Sequence, residues 1–167
     1  LGKQISNLFS DINLPTDKSK FKAIEDLLKE NSVVISSVDT ESEDLDVSGL
    51  ESTAYGAIIN KSATSEGYAL AFKAMCDFFD IDCYVVRGRL DGLDHCWNLV
   101  STEDGWYHVD VASDITTSSY ENLLCTDDQM TERGFRWNTS DYPLSASDVI
   151  NAFHTTDEIT QSELNEE

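Results

Sequence analysis

The sequence predicts an α+β domain, because helical patterns fill its first half and a run of strand patterns follows them. Residues 65–79 (SEGYALAFKAMCDFF) are apolar on nearly every face of a helix, which requires burial at the centre of a domain. Directly after it, residues 83–88 (CYVVRG), 95–101 (HCWNLVS) and 106–111 (WYHVDV) are short and rich in β-branched and aromatic residues. Gly-containing turns at 88–94 and 102–105 separate them, the signature of an antiparallel meander. The expected architecture is a buried central helix packed on an antiparallel sheet.

The elements before the central helix follow from spacing. Residues 17–30 (DKSKFKAIEDLLKE) set Phe21, Ile24, Leu27 and Leu28 three and four apart, with Thr16 placed as N-cap after Pro15. A β-branched patch at Val33–Ile35 reads as a short strand. Residues 39–51 carry Asp39, Glu41, Glu43, Asp44, Asp46 and Glu51 and read as an exposed acidic loop, since the carboxylate order and central Gly of an EF-hand are missing. A short helical stretch is expected at 55–59. After the meander the periodicity fades until a short helix at 145–153, followed by an acidic, polar tail. The domain is thus expected to run from 1 to 153, with 154–167 a tail or linker.

The chain has 167 residues, 40% of them hydrophobic, enough for one packed core. Eleven Lys and Arg against 32 Asp and Glu leave a net charge of −21, which would repel a nucleic-acid backbone and favours cationic partners such as lysine-bearing peptides. No apolar run approaches the roughly 18 residues that cross a bilayer. The chain opens on Leu1 without an initiating Met or signal segment, so it reads as part of something longer. Cys76, Cys83, Cys96 and Cys125 form no CxxC pair and no zinc-ligand cluster, and the expected state is buried free thiols, with a Cys76–Cys83 disulfide as the alternative.

Strand alternation puts His95, Trp97 and Leu99 on one face and Cys96, Asn98 and Val100 on the other. With Ser101 facing Trp106 across the hairpin, Asp110 lies opposite Trp97 and diagonal to His95 on the same face. A carboxylate so placed can fix a histidine's tautomer and stabilise its cation. A nucleophile is expected at the N-terminus of the central helix, where unsatisfied N–H groups favour negative charge, and the residue there is Ser65. Taken singly, each has a structural reading: Ser65 a helix cap, Asp110 a turn cap, Trp97 and Trp106 core aromatics, His95 and His108 satisfied strand histidines. His108 receives no role beyond a supporting one.

The ordered segments TSEGYALAF, DHCWNLV and DGWYHVDV resemble the transglutaminase-like superfamily, a papain-like group whose core reads Cys-x-Gly-Tyr-Ala, then His-Ala-Trp-Asn, then Trp-Tyr-x-x-Asp. Weaker similarity extends to FKAIEDLL and FRWNTSDYP. The resemblance implies a transglutaminase-like fold and acyl chemistry on peptide or protein amides, with His95 as general base, Asp110 orienting it, and Trp97 and Trp106 lining the substrate side. It implies no cofactor and no metal. Ser65 stands where the family has its catalytic cysteine, so little or no turnover is expected of a pseudoenzyme or an engineered Cys-to-Ser variant. Two alternatives follow: a non-catalytic peptide-binding module of a secreted or surface protein, and an active Ser/His/Asp hydrolase. The acidity suits an exported or cell-surface bacterial protein.

Overall fold

The computed structural model describes residues 1–36 and 49–147. Most of the expected acidic loop at 39–51, most of the expected helix at 145–153 and the domain boundary after 153 lie outside them.

The second helix forms as its pattern predicts. In α2 (Asp17–Lys29) the Thr16 hydroxyl accepts from the Ser19 N–H at 3.1 Å while the Ser19 hydroxyl accepts from the Thr16 N–H at 3.1 Å, a reciprocal cap. Phe21, Ile24 and Leu28 are fully buried. An uncapped first helix, α1 (Gly2–Phe9), has no counterpart in the sequence expectation; it buries Ile5 and Phe9, and the Phe9 ring meets Phe79 edge-on at 4.9 Å. Strand β1 (Val33–Val34) pairs in parallel with β2 (Ser62–Ala63), and the expected helical stretch between them is a π-helical turn at Gly56–Asn60.

The central helix, α3 (Ser65–Phe78), buries Tyr68, Phe72, Met75 and Cys76 completely, whereas Phe78 at its end is exposed. It packs on one face of a five-stranded antiparallel sheet ordered β6-β5-β4-β3-β7, built from β3 (Cys83–Leu90), β4 (Leu93–Thr102), β5 (Gly105–Val109), β6 (Leu123–Cys125) and β7 (Phe135–Arg136). Val100, Tyr107 and Val109 join α3 in the main core, while Val86, Trp97 and Leu99 point to the opposite face and close a second core with Met130 and Phe135. The alternation of β4 is the one its sequence predicts.

The turns differ from expectation. The first hairpin turns at Asp91 and Gly92, both with positive φ as a two-residue primed turn requires, so residues 88–90 and 93–94 belong to strands. Gly88 pairs with His95 inside β3, and this strand position is glycine because a Cβ there would lie 2.7 Å from the Trp97 ring and 2.3 Å from the Arg136 carbonyl oxygen. The third strand ends at Val109 instead of 111, and the chain turns at once into α4 (Val111–Thr117). Helices α4 and α5 (Asp127–Glu132), with β6 and β7, span seven residues or fewer each, too short for periodicity to reveal.

Candidate active site

Ser65 is the first residue of α3 and not its cap. That role falls to Thr64, whose hydroxyl accepts from the Gly67 N–H at 3.4 Å. Gly67 has a steric reason to be glycine: a Cβ would lie 2.4 Å from the Glu51 carbonyl oxygen and 2.8 Å from the Ala63 methyl. Tyr68, fully buried, donates its hydroxyl to the Val33 carbonyl at 2.8 Å. From the sheet, Asn98 donates to the Ala69 carbonyl at 2.9 Å. The start of α3 is therefore clamped on three sides.

The hairpin register brings His95 and Asp110 together as predicted, with Ser101 opposite Trp106 and Asn98 opposite Val109. His95 Nε2 lies 2.7 Å from Asp110 Oδ2. Asp110 is buried, and it also caps α4, accepting from the Ser113 N–H at 3.1 Å and the Ser113 hydroxyl at 2.5 Å. A carboxylate only accepts, so Nε2 carries a proton in this bond, and in the neutral ring the lone pair is on Nδ1. Ser113 has no precedent in the sequence reading; the signal for it is the Asp-x-x-Ser spacing of a capped helix start.

Ser65 meets the strand through backbone. In the ladder between β4 and β5, residues Val100 and Asn98 pair with Tyr107 and Val109, and the next inward-facing amide, that of Cys96, would need a partner at 111. The chain has already left the sheet there, so the Cys96 N–H is orphaned, and the Ser65 hydroxyl accepts it at 3.2 Å. Ser65 thus sits beside the residue following His95. The hydroxyl and the His95 ring form no hydrogen bond with each other.

Trp97 requires a correction. It is fully buried, with its Nε1 donating to His108 Nδ1 at 2.9 Å and its ring edge-on to Phe135 and Trp137, so it cannot line a substrate surface. It is the wall behind His95, whose ring stacks on it at 6.2 Å. Trp106 is only partly buried and packs on Tyr84 at 5.4 Å. All four cysteines are free thiols: three are buried, and Cys96 is partly exposed. Burial, with Glu66 close by, pushes the Cys96 thiol up, against the pull of Arg87. Glu66, next to Ser65, holds Arg87 in an ion pair of 2.5 Å at the surface. Among the described residues no cluster of His, Cys, Asp and Glu is arranged to hold a metal, and no helix is long and apolar enough to cross a membrane.

Comparison with known proteins bears on the family and the fold. A family model described as the transglutaminase-like superfamily matches residues 7–111. A solved structure titled "Crystal structure of a TGase" superposes with a TM-score of 0.54 at 16% sequence identity, over 80% of this chain and 34% of the other. The chain thus spans about a third of that structure's length, and the likeness concerns the fold. No curated protein matches the sequence.

Proposed function

This chain belongs to the transglutaminase-like superfamily, and on that premise we propose that Ser65, His95 and Asp110 are the three positions of an acyl-transfer site that holds serine where the nucleophile belongs. In a relative with cysteine at position 65, the thiolate would attack an amide carbon and His95 Nδ1 would accept and return the proton. Asp110 would hold the ring, and the N–H of residue 65 would contribute to the oxyanion site. The observation that carries this reading is the His95–Asp110 bond of 2.7 Å with Ser65 at the head of α3, one residue away along the strand backbone.

The serine gives the chain little or no turnover. A thiol at a helix N-terminus is readily ionised, whereas a hydroxyl must lose its proton as it attacks. Ser65 instead lends a lone pair to the Cys96 amide and makes no bond to the base that would take its proton. This disfavours an active serine hydrolase. It favours a domain that engages peptide or protein amides at this site without cleaving them, and the net charge of −21 selects cationic segments at low ionic strength. An exported or surface-attached bacterial protein is the setting we propose.

The test is Ser65→Cys, alkylated with iodoacetamide at neutral pH beside the parent chain, whose partly exposed Cys96 supplies the background. The new thiol should react fast, and His95→Ala should remove most of that rate. An introduced thiol that labels no faster than Cys96, or is indifferent to His95→Ala, would remove the acyl-transfer reading.

A further inference from the structure

A second histidine–carboxylate pair lies behind the first. His108, fully buried on β5, places Nε2 at 2.7 Å from Asp127 Oδ1 and accepts the Trp97 indole N–H on Nδ1 at 2.9 Å. An indole nitrogen only donates, so His108 Nδ1 must be unprotonated and its single proton must sit on Nε2, facing Asp127. A cationic His108 would set donor against donor at Trp97. Burial likewise lowers the basicity of this ring, with Asp127 opposing.

We infer that His108 is a positioning residue for His95, acting through the Trp97 indole that it holds by hydrogen bond. Packing confines the Trp97 ring on two sides. Its ring lies over Gly88, where a Cβ would lie 2.7 Å from the indole, and Phe135 stands edge-on at 5.1 Å. The indole N–H is the one polar atom of this wall, and its partner decides which way the plane tilts. The His95 ring stacks on that plane at 26° and meets Phe135 at 5.9 Å, so the wall sets the direction in which His95 Nε2 meets Asp110. Asp127 completes the relay from α5: it is anchored by its own N–H to the Ser145 hydroxyl at 2.7 Å. The inference rests on the base role proposed for His95, but the geometry of the wall can be tested apart from it.

Three measurements decide it. In the parent chain, nitrogen chemical shifts should show His108 neutral with its proton on Nε2, and still so where an ordinary histidine is half protonated; a His108 that takes up a second proton in the ordinary histidine range would overturn the relay without any variant. His108→Leu removes the acceptor for Trp97. It should speed solvent exchange of the His95 Nε2 proton and, in the Ser65→Cys background, slow alkylation by about tenfold or more. Asp127→Asn keeps an oxygen acceptor for the Nε2–H and should stay within about twofold of its parent, since a neutral ring does not need the carboxylate charge. A folded His108→Leu with the parent's His95 exchange and alkylation rate would reduce His108 to core packing. If the Ser65→Cys thiol were unreactive with His108 intact, the acyl-transfer reading would fail, while the shift and exchange measurements would still judge His108.

Discussion

Glu25 and Asp114 bury two carboxyl groups side by side between α2 and α4, both shielded fully from solvent. Asp114 is well supplied with donors: the Asn122 N–H at 3.1 Å, the Asn122 side-chain amide at 3.0 Å and the Ser119 hydroxyl at 3.2 Å. Neither Glu25 oxygen receives a hydrogen bond, and the Lys29 ammonium stands 3.8 Å away. Burial first, and the neighbouring Asp114 second, hold Glu25 well above the usual carboxylate range, and burial lifts Asp114 to about 6. Glu25 therefore holds its proton to a higher pH than an ordinary carboxyl does, beside Asp114, one turn along the helix that Asp110 caps.

This pair makes stability fall as pH rises. Both groups bind protons more tightly folded than unfolded, so their contribution is complete below about pH 4 and is lost as pH climbs through the raised range of each, about 6 for Asp114. Glu25→Gln keeps a donor facing Asp114 and cannot ionise. It should be more stable than the parent at pH 8 by about 1–3 kcal/mol, with the gap closing at pH 5. Urea unfolding at the two pH values checks this; an equal loss at both would mean that ionisation of Glu25 plays no part.

Gly67 links the same steric logic to the site. Alanine in a helix interior normally gains about 1 kcal/mol over glycine. Here the added Cβ would lie 2.4 Å from a backbone oxygen and 2.8 Å from a methyl, and neither can rotate away. Gly67→Ala should therefore destabilise by about 1–3 kcal/mol in spite of its propensity. Gly2→Ala, also helical but with nothing within 4 Å, is the control and should be neutral or slightly stabilising. Thermal unfolding of the two separates clash from propensity.

What is legible in the sequence is what depends on period and parity. Thr16 as cap, the buried face of α3 and the shared face of His95 and Asp110 each follow from spacing within one element or across one tight hairpin. The onset of α4 does not, because Val109, Asp110, Val111 and Ala112 are all buried, so the strand's alternation gives no sign that the chain turns at Asp110. The reading of Trp97 as a substrate platform fails for a related reason: the face it shares with His95 is covered by Phe135 and Trp137, from a two-residue strand and a loop that leave no pattern. Glu25 is visible in principle. With Phe21, Ile24 and Leu28 it completes an i, i+3, i+4, i+7 stripe, so a carboxylate stands on the core face of a helix.

Asp110 serves two neighbours at once, and one substitution can separate them. Its Oδ1 caps α4 through the Ser113 N–H, while Oδ2 holds the His95 Nε2 proton. Asparagine caps a helix as well as aspartate does, so Asp110→Asn should fold with a stability change under about 1 kcal/mol. With its carbonyl on the cap, however, its amide NH2 faces His95 and can only donate, which moves the ring proton to Nδ1 and removes the lone pair that a base needs. In the Ser65→Cys background, alkylation at neutral pH should then drop by about a hundredfold or more with the melting temperature nearly unchanged. Asp110→Ala loses both functions and should also give up about 1 kcal/mol of helix cap. Measuring rate and melting temperature on the same samples distinguishes the two roles; an Asp110→Asn variant that labels as fast as its parent would leave Asp110 a helix cap and His95 without a partner in catalysis.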